Sequence, residues 1–217
     1  MKGIGEWGIR VRIFERCAWI QRKQSPYPGC ILYVTSQATS EYDFRFRPVS
    51  SSLIGIVNGD ESGLKKCVED LTTDGFPFRP EAKIQREIWK KVIINSVFNS
   101  ICPLLEVENG IFVRDEETAN LAREVVRECV TLTDRLKMGL RESELMEQIM
   151  RISRASDGQL ISTLQDIRTG RKTEIEFLNL EIARVAASMQ PKLYLPRIEL
   201  LGKMILAKSL QQRRKET

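Results

Sequence analysis

The sequence predicts an α+β chain, a few short strands followed by a long all-helical stretch, and three observations predict it. Residues 30–57 contain three short runs rich in β-branched and aromatic residues, CILYVTSQ, EYDFRFR and SSLIGIV, each bounded by turn residues. From Glu81 onward apolar residues recur at helical spacing, interrupted only briefly by Gly and Pro. Between the two lies DGFPFRP, residues 74–80, which reads as a loop or short edge strand and as the domain boundary. Two domains are therefore expected, 1–80 and 81–217. The chain has 217 residues, 42% hydrophobic and 29% charged, enough apolar material to bury a core of ordinary globular composition.

The elements follow in order. Gly3, Gly5 and Gly8 form a literal GxGxxG, but that pattern cradles a pyrophosphate only when a strand delivers the chain to it, and here only Met1 and Lys2 precede it. It is read as a chance match. Residues 9–21 fit a helix through Ile9, Ile13, Cys17 and Ile20, or a short strand through Ile9, Val11 and Ile13. SPYPG at 25–29 is a turn, and the three β-rich runs after it read as strands of one sheet. Asp60 or Ser62 is expected to cap a short helix that uses Leu64, Cys67, Val68 and Leu71.

A helix over 81–105 follows, with Pro103 expected to kink or stop it. Asp115 caps the next, which runs to about Met138, shows Leu121, Val125, Cys129, Leu132 and Leu136 on one face, and ends at Gly139. A third, over 142–152, buries Leu145, Ile149 and Ile152. Ser162 begins a short helix ending at Gly170. Thr173 then caps a longer one striped by Ile175, Leu178, Ile182, Val185 and Ala186, and Pro196 starts the last.

Composition narrows the chemistry. The chain has no histidine, which removes Ser-His-Asp and Cys-His nucleophilic sites, the HExxH zinc site and the two-His iron site together. Proton transfer is left to Lys, Glu, Asp, Tyr or Cys. Cys17, Cys30, Cys67, Cys102 and Cys129 are scattered without a CxxC, so buried thiols are expected, with no metal site or disulfide framework. The net charge of +5 suits an anionic ligand or a basic surface, and Arg213, Arg214 and Lys215 read as a solvated helix end with no aromatic interleaving for nucleic acid. No apolar run approaches the roughly 20 residues of a membrane span, and the start lacks the apolar stretch of a signal peptide. The expected location is the cytoplasm.

Two polar clusters stand out. In WKKVIINSVFN, residues 89–99, Lys91, Asn95 and Asn99 fall at i, i+4 and i+8, a polar seam on a segment otherwise made of Trp89, Val92, Ile93, Ile94, Val97 and Phe98. Burying an amine or amide without a partner costs about 2 kcal/mol or more, so the seam faces a polar partner, water or a ligand, or else Lys91 simply reaches solvent along its stem. The second cluster is STLQDIRTGRKTEIEFLN, residues 162–179. Ser162 at a helix start offers a hydroxyl near backbone donors, an arrangement that suits a carboxylate, and Glu174 falls in a first turn. Both are equally ordinary helix chemistry when taken alone.

Together, in order and at this spacing, REIWKKVIINSVFN at 86–99 and STLQDIRTGRKTEIEFLN at 162–179 resemble the 2-dehydropantoate 2-reductase (ketopantoate reductase) family. The likeness is good over 81–207 and weaker but in register over 30–80, whose strands resemble the last part of that family's nucleotide-binding domain. It implies a partial Rossmann-like α/β sheet followed by an all-helical C-terminal domain of the 6-phosphogluconate-dehydrogenase-like type. By the same resemblance the function is NADPH-dependent reduction of 2-dehydropantoate, or a related 2-keto acid, in pantothenate biosynthesis. Lys91 would be the general acid that protonates the ketone oxygen. Asn95 and Asn99 would hold the substrate's hydroxyl end, Ser162 its carboxylate with Gln159 nearby, and Glu174 would bond in the site and orient Lys91 or the NADP cofactor. A homodimer is implied as well. The physics agrees: a lysine on an apolar helix tends toward a lowered pKa, and as a cation it stabilises a developing alkoxide.

The sequence departs from the family pattern at several positions. Gln159 stands where the family has asparagine three residues before the serine, Leu180 where glycine follows the asparagine of the TEI helix, and Ile198 where asparagine is usual two residues after the proline. Gly3 and Gly5 align with a late NGxG turn, with Lys2 in place of its cofactor-contacting asparagine. The first two-thirds of the nucleotide-binding domain has no counterpart, so the expectation is a truncated or mis-started gene product that binds nicotinamide poorly alone. The alternative is a non-catalytic helical dimerisation module derived from that enzyme, and a basic nucleic-acid binder ranks last.

Overall fold

The computed structural model describes residues 27–38, 43–58 and 61–216. The GxGxxG at Gly3, Gly5 and Gly8, the ambiguous segment 9–21 and the proposed Asp60 cap lie outside the described residues. The described chain divides into two compact units, one reaching Trp89 and the other beginning at Lys90.

The first unit contains five strands and a helix: β1 (Tyr27–Ile31), β2 (Val34–Ala38), β3 (Phe44–Pro48), β4 (Ser52–Asn58), α1 (Leu64–Leu71) and β5 (Phe78–Pro80). The single predicted sheet is in fact two. β1, β4 and β5 form one, in that order, and β2 pairs with β3 in a separate antiparallel ribbon. The run CILYVTSQ supplies a strand to each because the chain turns at Leu32 and Tyr33. The Tyr33 N–H leaves the ladder for the Ser52 hydroxyl (3.1 Å), and its carbonyl accepts from the Val49 N–H (2.8 Å). β1 runs antiparallel to β4, while β5 joins β4 in parallel after the α1 crossover, with Ser52 opposite Phe78 and Ile54 opposite Pro80. Pro80 sits at a sheet edge, where its missing donor costs no ladder bond.

The core of this unit is Ile31, Leu53 and Ile84, flanked by Tyr33, Val57 and Ile88. Ile84 and Ile88 belong to the first turns of α2 (Ile84–Leu105), which lie directly on β4. Gly55 makes that approach possible: a Cβ placed there would meet the Glu81 carbonyl and stand 2.6 Å from the Ile84 Cβ.

The second unit is all helical. From Lys90 onward α2 is apolar on nearly every side, with Val92, Ile93, Val97, Ile101 and Cys102 fully buried. Such a helix occupies the middle of its unit. It is followed by α3 (Ile111–Arg114), α4 (Glu116–Arg135), α5 (Glu142–Ala155), α6 (Ser162–Arg168), a 3₁₀ turn (Ile175–Phe177), α7 (Asn179–Ser188) and α8 (Pro196–Glu216). Helix α8 packs on α4, α6, α7 and the 3₁₀ turn.

The start signals hold in part. The Asp115 carboxylate accepts from the Thr118 N–H at 2.7 Å, capping α4 as its sequence predicts. Pro196 begins α8, whose first free amides, those of Arg197 and Ile198, are met by the Glu128 carboxylate at 3.0 and 3.1 Å. Ser162, however, is the first residue inside α6, with Ile161 in the capping position. The helix expected from Thr173 is broken: the 3₁₀ turn gives way at Leu178 (φ −108°, ψ −97°), and α7 starts only at Asn179.

The helix ends share one device. α2 passes through Pro103 and stops at Glu106, which is left-handed (φ 58°) while the Val107 N–H reaches back to the Cys102 carbonyl at 3.1 Å. α4 ends the same way at Lys137 (φ 57°), where the Met138 N–H meets the Thr133 carbonyl at 2.9 Å. Gly139, the expected stop, lies two residues further on. α6 ends at Gly170 (φ 63°), with the Arg171 N–H on the Asp166 carbonyl at 2.8 Å. Each closure satisfies a carbonyl that the helix leaves unpaired.

Candidate functional site

The polar seam runs inward along α2. Lys91 and Asn95 are half-buried, whereas Asn99 is 5% exposed. Lys90, the neighbour of Lys91, is tied to Glu144 of α5 at 2.9 Å with both side chains largely covered. That contact pairs Lys90 with a carboxylate and ties α2 to α5.

Deeper in the helix the polar groups are satisfied locally. The Ser96 hydroxyl donates to the Val92 carbonyl (2.9 Å), and the Ser100 hydroxyl to the Ser96 carbonyl (2.6 Å). The Asn99 amide nitrogen donates to the Asn95 carbonyl at 2.9 Å. These back-bonds explain how a helix surrounded by apolar groups carries two fully buried serines without orphaned hydroxyls.

The remaining polar atom of Asn99 reaches across the fold. Its Oδ1 accepts from the Thr163 hydroxyl at 2.7 Å, a buried bond between residues 64 positions apart. Thr163 is the second residue of α6, so this bond seats the start of α6 on α2 and brings Ser162, half-buried beside it, to the same region. Of the residues singled out in the sequence, Asn99 bonds to the Asn95 carbonyl and to Thr163, and Ser162 is the chain neighbour of Thr163. Sequence reasoning passed over Thr163, because a threonine beside leucine in a helix start reads as packing.

The other motif residues divide by role. Gln165 donates to the Leu160 carbonyl (2.7 Å), and the Asp166 carboxylate holds Arg171 (2.8 Å) across the Gly170 turn. Thus the QD and GR that make the pattern specific close the loop that delivers the chain to Glu174. Glu174 is half-buried, and its carbonyl accepts from the Phe177 N–H at 2.9 Å. The 3₁₀ turn after it is anchored by Ile175, which packs with Ile167 of α6 and Ile205 of α8. Gln159 has an exposed side chain. Its backbone is fixed, with its carbonyl accepting from the Asn109 N–H at 2.9 Å in a clasp where Glu108 accepts from the Gly158 N–H at 2.8 Å.

Of the thiols expected to be buried, Cys102 and Cys129 are, whereas Cys30 is exposed and Cys67 half-buried, and Cys17 lies outside the described residues. Burial pushes the Cys102 thiol up to about 12 and raises that of Cys129 further, so neither is a nucleophile at neutral pH. Among the described residues no group of Cys, Asp and Glu side chains is arranged to hold a metal ion, and no helix is long and apolar enough to cross a membrane.

Residues 83–209 match the family described as ketopantoate reductase PanE/ApbA, C terminal. The chain belongs to the ketopantoate reductase family. The 2-dehydropantoate 2-reductase of Pyrococcus horikoshii is 35% identical over 138 residues, 62% of this chain and 45% of that protein. The Pyrococcus abyssi 2-dehydropantoate 2-reductase is 30% identical over 141 residues, 64% of this chain and 46% of that protein. The chain therefore spans about half the length of the curated relatives it matches. Among solved structures, a PanE/ApbA family ketopantoate reductase from Ralstonia eutropha JMP134 superposes with a TM-score of 0.74 at 21% identity, covering 86% of this chain and 60% of that one. D-mandelate dehydrogenase bound to NADH and anilino(oxo)acetate gives a TM-score of 0.71 at 19% identity, over 85% of this chain and 59% of that one. These superpositions establish the shared fold, an α+β chain with a helical C-terminal unit.

Proposed function

We propose that this family member carries the substrate-binding half of a 2-keto acid reductase, with 2-dehydropantoate as substrate and NADPH as reductant, acting in the cytoplasm in pantothenate biosynthesis. The observation that carries the reading is the seam itself: Lys91 and Asn95 lie half-buried on a largely apolar helix that is bonded through Asn99 and Thr163 to the segment holding Ser162.

In this reading the substrate carboxylate lies on the Ser162 hydroxyl, which offers a donor at the first residue of α6. The hydroxyl end lies toward Asn95 and Asn99. The Lys91 ammonium stands over the ketone oxygen, polarises it, and donates a proton as that oxygen becomes an alkoxide. Besides a hydride donor, the reduction of a 2-keto acid needs one positioned acid and one anion contact, roles that Lys91 and Ser162 would fill without histidine. A bound nicotinamide nucleotide would supply the hydride. Glu174, half-buried on the turn before Ile175, is an acceptor suited to its carboxamide or a ribose hydroxyl, so the donor set present is compatible with that group. The ketopantoate reductase of Staphylococcus aureus, a structural neighbour with a TM-score of 0.70, is described as dimeric, and a homodimer is the state proposed for this chain too.

The test is oxidation of NADPH in the presence of 2-dehydropantoate, comparing wild type with Lys91→Ala. Loss of a positioned acid is expected to lower kcat by about a hundredfold or more. A folded Lys91→Ala variant with wild-type kcat would remove Lys91 from the chemistry. A folded wild type with no affinity for any 2-keto acid would favour a helical interaction module.

A further inference from the structure

The Asn99–Thr163 bond does more than join two helices. An asparagine amide presents a carbonyl oxygen at one end and an NH₂ at the other, and an isolated amide can be turned over to exchange them. Here both ends are specified. The Thr163 hydroxyl donates to Oδ1 at 2.7 Å, and Nδ2 donates to the Asn95 carbonyl at 2.9 Å. Turning the amide over would set Oδ1 against the Asn95 carbonyl, acceptor against acceptor. With Asn99 5% exposed and Thr163 2% exposed, no bulk water stands ready to repair that loss. Among the described residues, one N–H of Nδ2 is left beyond these two bonds, and it is a donor only.

We infer that Thr163 is a positioning and specificity-determining residue: its hydroxyl holds the Asn99 Oδ1 in a buried bond while the Asn95 carbonyl sets which way the amide faces, so the hydroxyl end of the site is left only a donor and selects 2-keto acids bearing a hydroxyl acceptor. The role rests on the reading of Lys91, Asn95 and Ser162 as a 2-keto acid site. Thr163 also spaces the two ends of the substrate. It is bonded to Asn99 at the hydroxyl end and is the chain neighbour of Ser162 at the carboxylate end, so the distance between the two polar anchors is fixed by one side chain. A keto acid with both polar ends feels that spacing, whereas one with only the carboxylate does not.

The test compares 2-dehydropantoate with trimethylpyruvate, the same keto acid lacking the hydroxyl, by titration calorimetry on wild type, Thr163→Val and Thr163→Ser. Wild type is expected to prefer 2-dehydropantoate by about tenfold or more, roughly the worth of one hydrogen bond. Thr163→Val is expected to lose that preference with trimethylpyruvate affinity changed less than about twofold, and Thr163→Ser to restore it. A purely structural role would weaken both ligands together. Since Thr163→Val leaves a buried acceptor unpaired, a measurement on wild type stands beside it: the Asn99 side-chain NH₂ resonance shifts on adding 2-dehydropantoate and stays in place with trimethylpyruvate. Equal preference in Thr163→Val and wild type, or an Asn99 resonance that ignores 2-dehydropantoate while it binds, overturns the role of Thr163 alone. A wild type that binds neither keto acid overturns the substrate reading and this inference with it.

Discussion

The strand unit and the helical unit use their side chains differently. In the strand unit the core is small, Ile31, Leu53 and Ile84 with their flanks, and the contact between sheet and helix depends on backbone meeting backbone at Gly55. The helical unit buries Ser96, Asn99, Ser100, Thr163 and Asn179 among its apolar residues. Most of these are hydrogen-bonded, which is what makes polar groups tolerable there. The comparison teaches where chemistry can be housed. A unit held by close backbone approach has little room to specialise, while one that already satisfies polar groups within its core can direct a few of them at a ligand.

The largest effect that would test this contrast falls on the strand unit. Gly55→Ala forces the start of α2 off β4, because the new methyl would press on the Glu81 carbonyl and the Ile84 Cβ. A cost of about 3 kcal/mol is expected, read as faster hydrogen exchange across β4. Unchanged protection there would show that close approach is not what holds this unit.

Asn179 probes the helical unit from the opposite side. It is fully buried at the start of α7, and neither side-chain atom has a hydrogen-bond partner among the described residues. Asn179→Asp keeps the shape but places a carboxylate in that spot, at an expected cost of about 3 kcal/mol at neutral pH. Burial raises the folded-state pKa above the unfolded value of about 3.9. The penalty is therefore complete above the raised pKa, shrinks as pH falls, and is gone below the unfolded value. Chemical denaturation at neutral and acid pH checks it, and an equal penalty at both would refute the burial account.

How far the sequence revealed all this depends on the range of each interaction. Asp115 as a cap, Pro196 as a helix start and the seam on α2 were legible because each rests on residues within one or two turns. The failures differ in cause. Gly139 read as the stop for α4 because glycine is the usual left-handed residue, and it is left-handed (φ 63°), yet Lys137 takes that conformation two residues earlier, held by the bond from Met138 to Thr133. The strand run over 30–37 read as one element because nothing nearby announces that Ser52 captures the Tyr33 N–H. Of the residues proposed for the site, Lys91, Asn95, Asn99, Ser162 and Glu174 were visible as polar residues in patterned surroundings. Thr163 was not, since its partner lies 64 residues away.

Smaller effects refine the helix ends. Lys137→Gly relieves a left-handed side-chain residue on an exposed helix end, so a gain of about 1 kcal/mol is expected in equilibrium unfolding; a loss would mean that the lysine side chain contributes more than its backbone costs. At Asp115 the bonds from the Thr118 hydroxyl and amide hold the carboxyl below its ordinary range. Asp115→Asn is expected to lower the melting temperature near neutral pH. That difference persists above the unfolded carboxylate pKa and disappears as pH falls through the lowered folded value. A difference independent of pH would assign the cap to shape alone.

In the proposed function, the helical unit holds the substrate through Lys91 and Ser162. Titration calorimetry of 2-dehydropantoate into wild type, Lys91→Ala and Ser162→Ala tests it most directly. The account predicts saturable binding by wild type, weakened about tenfold or more by either substitution, with melting temperatures unchanged. Wild-type affinity in both folded variants would contradict it.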